Sequence, residues 1–340
     1  MKTLEQEKER LILQEPMLVG IQPKPRTAMP ILFAVVVTAL GFSGAALATN
    51  EETAEWRAKI GTISPFQRIG SSYSTIMHQE WRQAKGREWQ KSFDEFQKKI
   101  AGLPAGTLRP LAAYSYYYVA QSWVNLTEGK EMCYKLVGCF VGVYLLSAIP
   151  AARQVARRMF SHDPLSGRSF TLLTSQFGHA GLLHLAVNSF ALLGFGEFAW
   201  SYLRSKQINE PGRLDEATSG YHFLAFHVAA GTFSALVSHL FATRVLLPRM
   251  VANLAKNVSA SAAGAAPVTA VTPILPSIGA SGAIWASLML TSLAWPHTTV
   301  TLVFLPFIPI SIGTGVLGFI ALDIVGLIRG WRYAETTTRV

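Results

Sequence analysis

Six stretches of this chain are apolar over roughly the 20 residues that a helix needs to cross a bilayer core. They are Pro30–Ala48, Met132–Ala148, Leu172–Tyr202, Tyr221–Leu247, Gly279–Trp295 and Thr299–Ile328. A water-soluble domain has no use for so many long apolar runs. The expected fold is therefore all-α, a polytopic membrane helical bundle. Charged residues make up 15% of the 340, against about 25% in soluble globular chains. At 50% hydrophobic, the chain is not disordered either. Pro306 and Pro309 interrupt the last run, because proline removes a backbone donor and clashes in a helix interior. Its helix is expected from about Ser311, with TLVFLPFIPI before it as an extended or re-entrant piece. The first run lies too deep in the chain, and lacks the basic leader, for a secretory signal.

Two cysteines exclude a disulfide framework and a Cys-based zinc site. Cys133 and Cys139 lie in one apolar run, and both are expected as buried thiols. The net charge of +10 would suggest nucleic acid in a soluble chain. Here the basic residues flank apolar runs, so they report topology and no nucleic-acid partner is expected. Counting the five runs after the first as core helices one to five, Arg153, Arg157, Arg158 and Arg168 fall in the one–two loop. Arg244, Arg249 and Lys256 follow core three, and Lys2, Lys8, Arg10, Lys24 and Arg26 lie in the N-terminal tail. The positive-inside rule puts all of these on the cytosolic or matrix side.

Between the first two runs the composition changes. Residues 50–100 are polar and charged, as in WRQAKGREWQKSFDEFQKKIAGL, and read as amphipathic surface helices. Tyr114, Tyr116, Tyr117, Tyr118 and Trp123 suit a membrane interface. Asn125-Leu126-Thr127 is a glycosylation sequon by pattern alone. Residues 249–276, rich in Ala, Pro, Ser and Val, read as a flexible loop.

Ionisable and polar groups inside membrane spans are costly and point to function. The third run contains His179, His184 and Asn188. His184 and Asn188 are four apart and share a helix face, so both can donate hydrogen bonds toward one point. His179, five residues before His184, is expected about 140° round the same helix from the 3.6-residue turn. Interhelical hydrogen bonding is the plainer account of these three residues taken alone. The fifth run opens with Gly279-Ala280-Ser281-Gly282. A serine flanked by glycines at a helix start has an accessible hydroxyl. Its backbone N–H belongs to the unsatisfied first turn, where a developing negative charge is stabilised. Nucleophile and half an oxyanion hole can thus come from one short motif. Close helix packing through Gly282 and Ala286 is the plainer account of these residues.

Taken together, the ordered set HxxxxHxxxN (His179, His184, Asn188) and GxSG (Gly279–Gly282) resembles a rhomboid intramembrane serine protease. LLTSQFGHAGLLHLAVNSFALLGFG, GASGAIWASLML, VFLP and ALDIVGLIRGW resemble the mitochondrial, presenilin-associated rhomboid-like branch. That branch has one extra helix before the six-helix core, as Pro30–Ala48 provides. The resemblance implies Ser281 as nucleophile. It implies His184, Asn188 and the Ser281 N–H as oxyanion donors, and His179 as a lining of the water-retaining cavity. It implies single-pass transmembrane proteins as substrates, the lipid bilayer as surroundings, the mitochondrial inner membrane as location, and no cofactor or metal. Asp323 is expected as a structural hydrogen-bonding residue facing the bundle.

The family's general base is a histidine on a sixth core helix, in an AHxxG pattern. Serine needs such a base to attack. The sequence reaches Val340 soon after Trp331 with no histidine in between, and His297 is about 24 Å along the helix from Ser281. His239 is the other histidine considered for the site. Lys206 and Lys256 are placed in loops. The expected organisation is a tail (1–29), an extra transmembrane helix (30–48), a polar region (49–131), a rhomboid core with five of six helices (132–333) and a divergent tail (334–340). Either the chain is a piece of an active protease, as its acidic N-terminus also suggests, or it is a non-catalytic rhomboid-like protein that binds transmembrane segments. A transporter or metal carrier using His179, His184, His222 and His227 is a third expectation, with no supporting motif. Without a sixth helix, the stripe at Gly282 and Ala286 is expected to lose its cover.

Overall fold

The computed structural model describes residues 27–61, 73–103, 106, 108–209, 216–262, 274–302 and 305–329. Four helices among them are long and apolar enough to cross a membrane, and two shorter apolar helices accompany them. The protein is a multi-pass integral membrane protein built as a helical bundle.

Helix α1 (Ala28–Gly61) contains the first apolar run and continues into a polar extension, NEETAEWRAK. α2 (Tyr73–Ile100) and α3 (Leu108–Val124) form the polar region. They pack through Tyr116, whose ring stacks on Phe96 at 4.7 Å and meets Phe93 at 5.5 Å. Tyr114, Tyr117 and Tyr118 stay exposed. α4 (Glu128–Ala148) is the first core helix. Thr127 caps it, accepting from Lys130 N and donating to Glu197 Oε1 at 2.8 Å, so the sequon hydroxyl is a structural cap.

α5 (Pro150–Phe160) follows at once. Its arginines Arg153, Arg157 and Arg158 and the apolar Val155 and Met159 are all exposed, as an interfacial helix requires. α6 (Thr171–Thr174) and one 3-10 turn (Ser175–Phe177) lead to a short non-helical segment. α7 (Leu182–Ala191) and α8 (Glu197–Asn209) form one rod joined by a π-turn. The third run therefore becomes a spanning helix at Leu182, not Leu172. α9 (Gly220–Phe241) continues through a π-turn into α10 (Leu247–Ala262). That corrects the loop expected from residue 249: residues 249–262 are helical, and 263–273 lie outside the described residues. α11 (Ser281–Ala294) precedes an antiparallel hairpin, β1 (Thr299–Leu302) with β2 (Leu305–Ser311). The hairpin realises the extended piece expected around the prolines. α12 (Ile312–Arg329) starts one residue after Ser311.

The main core joins Phe140, Leu136 and Cys133 of α4, Leu185 of α7, Trp200 and Ala199 of α8, Phe223 of α9 and Ile284 of α11. Cys139, in contrast, is exposed. Its position six residues along α4 turns it outward, correcting the expectation of two buried thiols. α1 lies along α9, burying Ala34 against Leu236 and Leu172. Trp285 of α11 meets Phe319 of α12 edge-on at 5.5 Å. Asp323 is exposed on α12 and does not face the bundle among the described residues. Gly282 packs against Ser234 of α9. Core helix three therefore covers Gly282 on that side, and Gly282 and Ala286 remain half-buried.

Polar groups knit one end of the bundle. Glu128 accepts from Ser219 N at 2.8 Å and from Thr218 Oγ1 at 3.1 Å. Glu131 pairs with Lys85 of α2 at 2.6 Å and with Lys135 at 2.9 Å. Lys85 and Glu131 are nearly buried, so the pair is a real tether of α2 to the core. Replacing Glu131 with alanine leaves Lys85 in that setting without its partner. The expected result is release of α2, read as faster tryptic cleavage at Arg82, Arg87 and Lys91. Unchanged cleavage would exclude the tether.

Gly129 of α4 packs directly on Trp200 of α8: a Cβ there would lie 2.5 Å from the ring. Gly129→Ala is expected to cost about 1–3 kcal/mol through overpacking. A thermal melt in detergent checks this, and an unchanged midpoint refutes it.

Candidate active site

Ser281 is the first residue of α11 and is exposed, while its neighbour Ala280 is fully buried in the core. The core thus anchors the backbone beside the hydroxyl and leaves the hydroxyl accessible. The first-turn N–H groups, including that of Ser281, have no intrahelical partner. No described residue is hydrogen-bonded to the Ser281 hydroxyl.

Gly279 has φ +118°, in the region that favours glycine. The reason is visible in its surroundings: a Cβ would sit 2.7 Å from Cε1 and 2.9 Å from Nε2 of His184. The imidazole therefore lies directly on the backbone of the nucleophile loop. Ala180 N donates to His184 Nδ1 across 3.4 Å. In a neutral ring that places the proton on Nε2, the nitrogen facing the loop. Asn188 is buried one turn further along α7, and its Nδ2 donates to His184 O at 2.8 Å. One Nδ2 proton remains for another acceptor.

His179 is not on that helix. It lies in the non-helical segment before α7, buried, with its ring 5.2 Å from His184 and 5.0 Å from Phe140. The angular argument from helix periodicity does not apply, and His179 joins the cluster through tertiary packing. So His184 meets Gly279, two residues before Ser281, and His179 meets His184, while Asn188 follows one turn along α7 and Gly282 serves the contact with α9. His239 goes elsewhere: its Nδ1 meets His162 Nε2 at 3.0 Å. His297 lies in the exposed turn beyond α11. His222 pairs with Glu216 at 3.3 Å. Among the described residues, no three His, Cys, Asp or Glu side chains gather as a metal site.

Three groups near this cluster carry no motif. Gln176, Thr232 and His227 are buried. Gln176 Oε1, Thr232 Oγ1 and both His227 nitrogens have no hydrogen-bond partner in the protein. Gln176 Oε1 lies where a Cβ on Gly231 would fall, so Gly231 makes room for it. Their one advance signal is polarity within apolar runs, which does not say which residues meet.

Comparison with known proteins bears on the same residues. The model of the family described as Rhomboid domain matches residues 166–337, which include His179, His184, Asn188 and Ser281. The zebrafish (Danio rerio) presenilin-associated rhomboid-like protein A, mitochondrial, is 24% identical over 331 residues, covering 93% of this chain and 70% of that protein. The cattle (Bos taurus) and human (Homo sapiens) presenilin-associated rhomboid-like proteins, mitochondrial, are each 26% identical over 214 residues. Those matches cover 63% of this chain, which spans 46% of the length of either protein. No solved structure matches the chain. With the family model matched over residues 166–337, half of the chain, and a helical membrane bundle to carry it, this protein belongs to the rhomboid family.

Proposed function

We propose that this chain is a rhomboid-type intramembrane serine endopeptidase that cleaves single-pass transmembrane proteins, with Ser281 as nucleophile. The observation that carries the proposal is the seating of the His184 ring on Gly279, two residues before an exposed serine at a helix start. Ser281 Oγ attacks the scissile carbonyl carbon, and the carbonyl oxygen becomes an oxyanion. The Ser281 N–H, His184 Nε2–H and the remaining Asn188 Nδ2–H are its donors. Collapse expels the amine, which takes the proton lost by Ser281 Oγ, and leaves an acyl-serine that water hydrolyses to a carboxylate and free serine. His179 orients His184 by edge-to-face contact and excludes lipid. Buried polar atoms need hydrogen-bond partners, and those of Gln176, Thr232 and His227 find none in the protein. Water is their natural partner and supplies the hydrolytic step. The proposal requires a proton acceptor for Ser281 from outside the described residues. The relatives are named as mitochondrial proteins, which supports a mitochondrial membrane as the location.

The test is full-length protein in liposomes with a single-helix reporter, treated with a fluorophosphonate. Cleavage before treatment, lost on treatment with a mass-spectrometric adduct on Ser281, supports the proposal. Reporter capture without cleavage or adduct overturns it in favour of a non-catalytic binder of transmembrane segments.

A further inference from the structure

The loop that presents Ser281 is fastened at a second point, away from His184. His162, in the segment between α5 and α6, forms an isolated antiparallel bridge with Ser277. Its N–H donates to Ser277 O and Ser277 N–H donates to its carbonyl, each at 2.9 Å. Two residues on, Gly279 N–H donates to Ser175 O at 2.9 Å. Position 277 is four residues before the nucleophile, so where His162 sits decides where Ser281 sits.

The His162 ring is itself held from both sides. Nδ1 lies 2.8 Å from Thr171 Oγ1, and Nε2 lies 3.0 Å from His239 Nδ1. Thr171 Oγ1 donates to Arg168 O at 2.7 Å, which uses its proton. Thr171 can therefore only accept from His162, whose proton is on Nδ1. His162 Nε2 then has a lone pair, and His239 must donate to it from Nδ1. The result is a directed chain, from His239 to His162 to Thr171 to the Arg168 carbonyl. All three side chains are nearly fully buried. The neighbouring backbone is packed as closely: Thr174 Oγ1 donates to Met159 O, and a Cβ on Gly178 would collide with Phe160 O.

We infer that His162 and His239 are positioning residues for the Ser281 loop, acting through the His162–Ser277 bridge and not by touching substrate. The inference rests on the proposed role of Ser281 only for its catalytic consequence. The charged and titratable groups facing His162 are His239 of α9, with Asp163 and Arg168 of its own loop. Burial, with His239 next, pushes the His162 ring down to about 4. An unfolded histidine titrates near 6.5, so the folded state holds fewer protons between these values. The clasp is intact above about 6.5 and weakens as pH falls toward about 4.

The test is hydrogen exchange of full-length protein in nanodiscs, read on peptides spanning residues 275–281. His162→Ala and His239→Leu are each expected to speed exchange there by about tenfold, as for a lost buried hydrogen bond. His239→Asn, whose Nδ2–H can replace the Nδ1–H donor, is expected to restore protection. Nitrogen-15 imidazole spectra are expected to show Nδ1-protonated rings for both histidines, and wild-type exchange at 275–281 to rise below pH about 6. In the cleavage assay kcat falls with KM unchanged. Unchanged exchange at 275–281 in both His162→Ala and His239→Leu overturns the inference. So does an equal rise throughout the chain, which would mark a merely structural pair. If cleavage and adduct are absent everywhere but local exchange responds, the clasp stands and the protease proposal fails.

Discussion

Ser281→Ala is expected to take cleavage of a transmembrane reporter to background. In a serine protease, loss of the nucleophile costs about six orders of magnitude in kcat. No described side chain is placed to replace the hydroxyl. Folding is expected to survive, because Ser281 is exposed and its neighbour Ala280 carries the buried contact. The melting midpoint should therefore stay at the wild-type value while activity disappears. Asn188→Ala is the graded comparison, expected to cost about 100- to 1,000-fold as the loss of one oxyanion donor does. Reporter cleavage by Ser281→Ala at the wild-type rate would rule out a Ser281 mechanism. A fall in midpoint together with activity would assign the serine to packing instead.

Gly279→Ala carries the second largest effect, and it acts on geometry without removing any reacting group. A φ of +118° strains any side-chain-bearing residue, at about 1–3 kcal/mol. The added Cβ also meets His184 at 2.7 Å. His184 has little room to yield, since His179 lies edge-on against it and Ala180 N–H holds its Nδ1. Either the loop or the ring must move, and both carry proposed oxyanion donors. Cleavage is expected to fall about 100-fold or more, as when an oxyanion donor is misplaced. The melting midpoint drops as well. Gly282→Ala separates the two causes, because its Cβ meets Ser234 of α9 and leaves His184 alone. It should lower stability more than it lowers kcat. Wild-type kcat in Gly279→Ala would show that the His184–Gly279 contact has no catalytic meaning.

The spans were legible because apolar run length is a one-dimensional property: α4, α9, α11 and α12 begin and end close to the runs that announce them. The hairpin was legible through Pro306 and Pro309. Boundaries failed where sequence hydropathy and backbone geometry part company. Leu172 is apolar and buried, yet it lies in a short helix ten residues before the spanning one begins. Residues 249–276 read as a loop because they are rich in Ala, Pro, Ser and Val, yet 249–262 continue α9 as helix.

The candidate site divides in the same way. Ser281 at a helix start between glycines, and His184 with Asn188 on one face, follow from local spacing alone, because helical periodicity fixes which neighbours share a side. That His184 rests on Gly279, that His179 reaches the cluster from outside the helix, and that His162 clasps Ser277 were decided by the tertiary structure. Each pairs residues remote in sequence, and their distance in space is set by how four helices fill a common core. Spacing along a chain carries no information about that packing.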